Sequence, residues 1–65
     1  MSNTKIEIDF NQYGGGFDHA IFYLPSIPRL GEIIEFHDRS YRVTSVVWVL
    51  NKFETTVVRM KAIEV

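Results

Sequence analysis

The chain has 65 residues, eight acidic against seven basic, with a formal net charge of −1, a pI near 6.0 and no cysteine. That length sets a single domain (residues 1–65) that buries only about 60% of its unfolded surface. The charge balance argues against a duplex-DNA binder, which carries a basic excess, and the missing cysteines exclude disulfide staples and thiolate zinc sites.

Residues 5–10 alternate as K-I-E-I-D-F. Ile6, Ile8 and Phe10 take one face and Lys5, Glu7 and Asp9 the other, which predicts a half-buried strand with one wet side. Residues 11–18, NQYGGGFD, read as a loop whose three glycines reach backbone angles closed to other residues. Residues 19–24, HAIFYL, form the second strand, which Pro25 stops. Residues 25–31, PSIPRLG, make a stiff connector, because its two prolines fix φ and remove two N–H donors. Residues 32–37, EIIEFH, form the third strand with Ile34 and Phe36 inward, and residues 37–40, HDRS, a tight polar turn.

Residues 41–50, YRVTSVVWVL, are rich in Val, Tyr and Trp and free of Gly and Pro, so they predict the fourth strand. Strict alternation places Tyr41, Val43, Ser45, Val47 and Val49 on one face, and Arg42, Thr44, Val46, Trp48 and Leu50 on the other. From Val46 onward both faces are apolar. Residues 51–54, NKFE, form the next turn. Residues 55–65, TTVVRMKAIEV, form the last strand, with Thr56, Val58, Met60 and Ala62 opposite Thr55, Val57, Arg59, Lys61 and Ile63. A helix competes over residues 58–65, since Met, Lys, Ala and Glu favour it; the β-branched run at 55–58 selects strand. Five short strands joined mostly by short turns predict an all-β fold, a small five-stranded antiparallel barrel.

Pro28-Arg29-Leu30-Gly31-Glu32-Ile33-Ile34, a polar turn, and Tyr41-Arg42-Val43 together resemble a pattern of SH3-like small barrels. There a P-x-x-G-[DE]-x-[IV] stretch opens a strand and a hairpin leads to a Tyr-x-Val strand. The resemblance spans about residues 25–50. It implies an SH3-like barrel and no particular function, because such barrels host many. The aromatic groove of proline-motif readers is not evident here.

Four groups of residues are candidates for function. Tyr13, Gly14, Gly15, Gly16 and Phe17 read as a mobile binding tip, glycines for close backbone approach and aromatics as anchors; the competing reading is a plain hairpin connection. Asp18-His19 and His37-Asp38 pair carboxylate with imidazole, but no ligand spacing supports a metal site and turn polarity explains them. Arg42, Arg59 and Lys61 project from the last two strands; with Tyr23 or Tyr41 nearby they suit single-stranded nucleic acid or a nucleotide, against the reading of a solvated face. Val47, Trp48 and Val49 are interface candidates, with Trp48 either core or subunit contact.

No nucleophile elbow is present, and a chain this small leaves little room for a water-excluding cleft. The expected function is a non-enzymatic binding protein without cofactor or metal, acting as a homo-oligomer, a dimer in the simplest case, on a protein partner. Base rates for very small, near-neutral chains include phage- or mobile-element-encoded inhibitors of host defence proteins. The alternative is a single-stranded nucleic-acid or nucleotide-binding barrel, and a third reading is an enzyme at a subunit interface using His19 or His37. The first residues lack a signal-peptide pattern, and the longest apolar run, residues 46–50, is far short of a membrane span. A soluble cytoplasmic protein with no membrane partner is expected.

Overall fold

The computed structural model describes residues 3–50, 52 and 56–65. Strand β1 (Thr4–Asn11) leads through one 3₁₀ turn (Tyr13–Gly15) into β2 (Phe17–Leu24). After a connector come β3 (Ile33–Phe36), β4 (Arg39–Val49) and β5 (Val57–Glu64). Each strand covers a predicted segment, but β2 starts at Phe17 and Asp18 of the expected loop and β4 at Arg39 and Ser40 of the expected turn, because the tight connections let pairing run up to them. The expected turn at residues 51–54 lies outside the described residues except for residue 52, as does Thr55 of the expected last strand.

The five strands form one sheet in the order β2-β1-β5-β4-β3. The small all-β, barrel-like fold holds, with one correction to its pairing. β1 and β2, β3 and β4, and β4 and β5 are antiparallel, but β1 runs parallel to β5 from Lys5↔Val57 to Asn11↔Ile63. The sheet is therefore mixed rather than fully antiparallel. The first and last strands meet at its centre, a long-range pairing that no turn signal announces.

The sheet curls over its inner face. Ile6, Ile8 and Phe10 of β1, Val58, Met60 and Ala62 of β5, and Tyr41 and Val43 of β4 are buried there. Side chains of a flat sheet stand perpendicular to it, and its outer strands would lie about 19 Å apart. Yet Phe22 of β2 and Phe36 of β3, on opposite edges, meet edge to face with centroids 5.9 Å apart. Phe10 stacks on Phe36 at 4.3 Å and tilts against Tyr41 at 4.8 Å. This aromatic knot draws the edges together into a half-barrel. Ile27 of the connector packs on the same core.

Two turns depend on backbone conformation. In the connector, the Glu32 N–H donates to the Arg29 carbonyl at 3.0 Å, with Gly31 at φ 88°, so glycine serves the sharp turn its position predicts. Between β3 and β4, Phe36 pairs with Arg39, leaving a two-residue loop, His37-Asp38, with both φ angles positive (49° and 64°). Positive φ at both central residues belongs to the hairpin turns whose twist matches the strands. Among the described residues, no helix is long and apolar enough to cross a membrane.

Candidate functional site

β4 changes character at a bulge. Its register with β5 moves from Val43↔Ala62 to Ser45↔Lys61, so Thr44 is an extra residue on β4. The Thr44 hydroxyl donates to the Lys61 carbonyl at 3.3 Å. Before the bulge, odd-numbered Tyr41 and Val43 face inward. After it, even-numbered Val46 and Trp48 stand opposite Met60 and Val58, which are inward residues of β5. Strict alternation along residues 41–50 is thus overturned: Trp48 shares the inner face with Tyr41 and Val43, while Val47 and Val49 are on the outer face.

That inner-face position does not bury Trp48. It remains 53% exposed, beside Val47 at 52% and Leu50 at 75%. β3 pairs only with Arg39–Arg42 of β4, and Gly31 and Glu32 extend the cover one residue further, to Val43. Beyond Val43, among the described residues, the side of β4 away from β5 has no neighbour. The interface candidates Val47, Trp48 and Val49 all lie on this open stretch.

The outer face is a grid set by the registers. One row carries Tyr23, Lys5, Val57 and Val49. The next carries Ile21, Glu7, Arg59 and Val47, and the third His19, Asp9, Lys61 and Ser45. A fourth holds Phe17, Asn11, Ile63 and Arg42, with Ile33 beyond. Charge runs down the middle strands, and in the first two rows Tyr23 and Ile21 on β2 and Val49 and Val47 on β4 flank it. A depression of about 470 Å³ opens over Glu7, Asp9, His19, Val47, Arg59 and Lys61.

Arg42, Arg59 and Lys61 do share this face, but Arg59 and Lys61 stand in register beside Glu7 and Asp9. The expected aromatic neighbours do not join them. Tyr41 is fully buried, and its hydroxyl has no hydrogen-bond partner among the described residues. Tyr23 is exposed but lies on the far edge strand, paired with Lys5.

The histidines part from the acids next to them in sequence. His19 Nδ1 lies 2.5 Å from Asp9 Oδ1 across the β1–β2 ladder, and its Nε2 lies 3.8 Å from Glu7 Oε1. Asp18 instead accepts from Gln12 Nε2 at 3.2 Å. His37 rests edge-on against the Phe36 ring at 4.2 Å. Alternation had put Glu7 and Asp9 on the wet face, but their nearness to His19 needed the β1–β2 register. Among the described residues, no three His, Cys, Asp or Glu side chains gather into a set able to hold a metal ion.

The glycine loop is fastened at three points. The Gln12 N–H donates to the Gly16 carbonyl at 2.7 Å and the Gly15 N–H to the Gln12 carbonyl at 3.3 Å. The Tyr13 N–H donates to Glu64 Oε1 at 3.0 Å. Gly14 and Gly15 hold φ of 81° and 91°, which makes glycine the fitting residue at both positions. Tyr13 and Phe17 are 71% and 59% exposed, so the aromatics flank the loop without folding over the sheet end.

Compared with protein-family models, curated proteins and solved structures, the chain matches none of them.

Proposed function

We propose that this protein is a non-enzymatic interaction module that works by protein–protein contact and self-associates. The observation that carries this reading is the second half of β4. It is apolar on both faces, half exposed and, among the described residues, unpaired at its edge. Exposed contiguous apolar surface on a small domain marks an interaction site. The outer face, with charges at the centre and Phe17, Ile21 and Tyr23 along β2, offers a second surface of the kind a protein partner covers.

The nucleic-acid or nucleotide reading draws on Arg42, Arg59 and Lys61 sharing one face. Its weakness is local electrostatics: Glu7 and Asp9 beside Arg59 and Lys61 offset the attraction for phosphate. The finer proposal, a cytoplasmic inhibitor of a host defence protein carried by a phage or mobile element, rests on size and composition.

Two titrations test the reading. Self-association followed by sedimentation should change little with salt. A labelled single-stranded oligonucleotide should show no saturable binding at low salt. Tight oligonucleotide binding that falls steeply as salt rises would replace this reading with the nucleic-acid one.

A further inference from the structure

We infer that two copies of this chain join through the open edge of β4, antiparallel about a twofold axis at Val47, so that the two sheets become one. This rests on the self-association proposed above and specifies its geometry.

The register follows from the backbone. Val43 directs both its polar groups away from β5: its N–H donates to the Glu32 carbonyl at 2.9 Å, and its carbonyl accepts from the Gly31 N–H at 2.8 Å. In an antiparallel ladder these directions alternate along the strand in step with the side chains. Inward-facing residues of β4 are therefore those whose polar groups point away from β5. Beyond the bulge these are Val46 and Trp48, and among the described residues nothing meets them.

Residues directly opposite in an antiparallel pair share a face. A twofold pairing of identical strands must therefore set some residue against itself. Val47 as that residue brings Val46 of each copy opposite Trp48 of the other. All four free N–H groups and carbonyls on each edge are then satisfied. The two Val47 side chains touch on the outer face, where each is 52% exposed, and each indole covers the other copy's Val46 on the inner face. Centring on Val46 sets Trp48 against the bulged Thr44, and centring on Trp48 sets Val46 against Leu50, past the end of β4.

The chemistry favours a second copy over another partner. Residues 43–50, VTSVVWVL, carry no charge and no proline, the usual guards of an exposed edge. Two copies meet there without like charges opposed. The other two edge strands are guarded: β2 carries Asp18 and His19, and β3 carries Glu35.

The chain has no cysteine, so a single introduced thiol reports the register directly. Opposed residues at a non-hydrogen-bonded position have Cα atoms about 4.5 Å apart, within disulfide range. Val47→Cys should link to itself under mild oxidation. Ser45→Cys and Val49→Cys should not, since each lies on the order of 13 Å from its own copy; mixed together, they should link to one another. Val47→Lys and Val47→Glu should each weaken the dimer by about tenfold, and an equimolar mixture should restore it. Circular dichroism confirms that each variant is folded. A wild type that dimerises while Val47→Cys fails to link, or while Ser45→Cys links to itself, overturns this geometry and leaves self-association standing. A wild type that stays monomeric up to high micromolar concentration overturns both.

Discussion

Glu64 Oε1 accepts the Tyr13 backbone N–H at 3.0 Å, and so ties the glycine loop to the last strand across 51 residues of sequence. The same oxygen takes Arg39 Nη1 at 3.1 Å, linking that loop to the β3–β4 hairpin. Three glycines in a row invite the reading of a mobile tip, yet this carboxylate supplies an anchor. Glu64→Ala should cost about 1 kcal/mol, since the contact is charge-assisted but partly solvated. Amide exchange at Tyr13 should rise sharply in the variant while the β1 and β5 amides keep their protection. Equal exchange at Tyr13 in both proteins would show that the loop holds itself.

Tyr41 presents a different balance. Its ring is fully buried against Phe10, but its hydroxyl has no partner among the described residues. Removing an unsatisfied buried hydroxyl while keeping the ring relieves its desolvation cost, worth about 1–3 kcal/mol. Tyr41→Phe should therefore raise the urea midpoint at unchanged slope. A fall in the midpoint would mean that the hydroxyl is bonded in solution.

Phe10 sits between Phe36 and Tyr41 and helps to draw the sheet edges together. Phe10→Ala should cost about 3–5 kcal/mol, comparable to the whole stability of a domain this small. The variant should be largely unfolded by circular dichroism at 25 °C. A cooperative transition near that of wild type would show that the curl is held elsewhere.

Thr44 is the residue that the bulge absorbs. Deleting it leaves Tyr41 and Val43 inward, Ser45 outward and Val46 and Trp48 inward, so every side chain keeps its face. The deletion should fold at a cost of no more than about 2 kcal/mol, chiefly the lost hydroxyl contact with Lys61. Deleting Val46 instead closes the bulge only by turning Ser45 inward in its place, opposite Met60, and should cost more. The two denaturation curves decide the matter, and equal losses would remove the bulge as the cause of the parity change.

Alternation alone made much of the fold legible. Ile6, Ile8 and Phe10, then Val58, Met60 and Ala62, are the buried stripes that their period-2 pattern predicts, and Ile34 and Phe36 point inward as read. Pro25 ending β2 and Gly31 shaping the connector turn were equally readable, because both act through their own backbone. Partner strands were not. The β1–β5 parallel pair and the Glu64 anchor join residues far apart in sequence, where local pattern carries no information about which strands become neighbours, and the His19–Asp9 contact, within one hairpin, depends on the exact β1–β2 register. The bulge at Thr44 hid the true faces of residues 45–49, since one extra residue inverts parity without changing composition. What the sequence determined by itself was which segments become strands and which side chains leave water, because propensity and hydrophobicity belong to each residue. Tertiary structure alone decided the strand order, the register and the edge left open, because these depend on hydrogen bonds and packing between segments that meet only when the chain has folded.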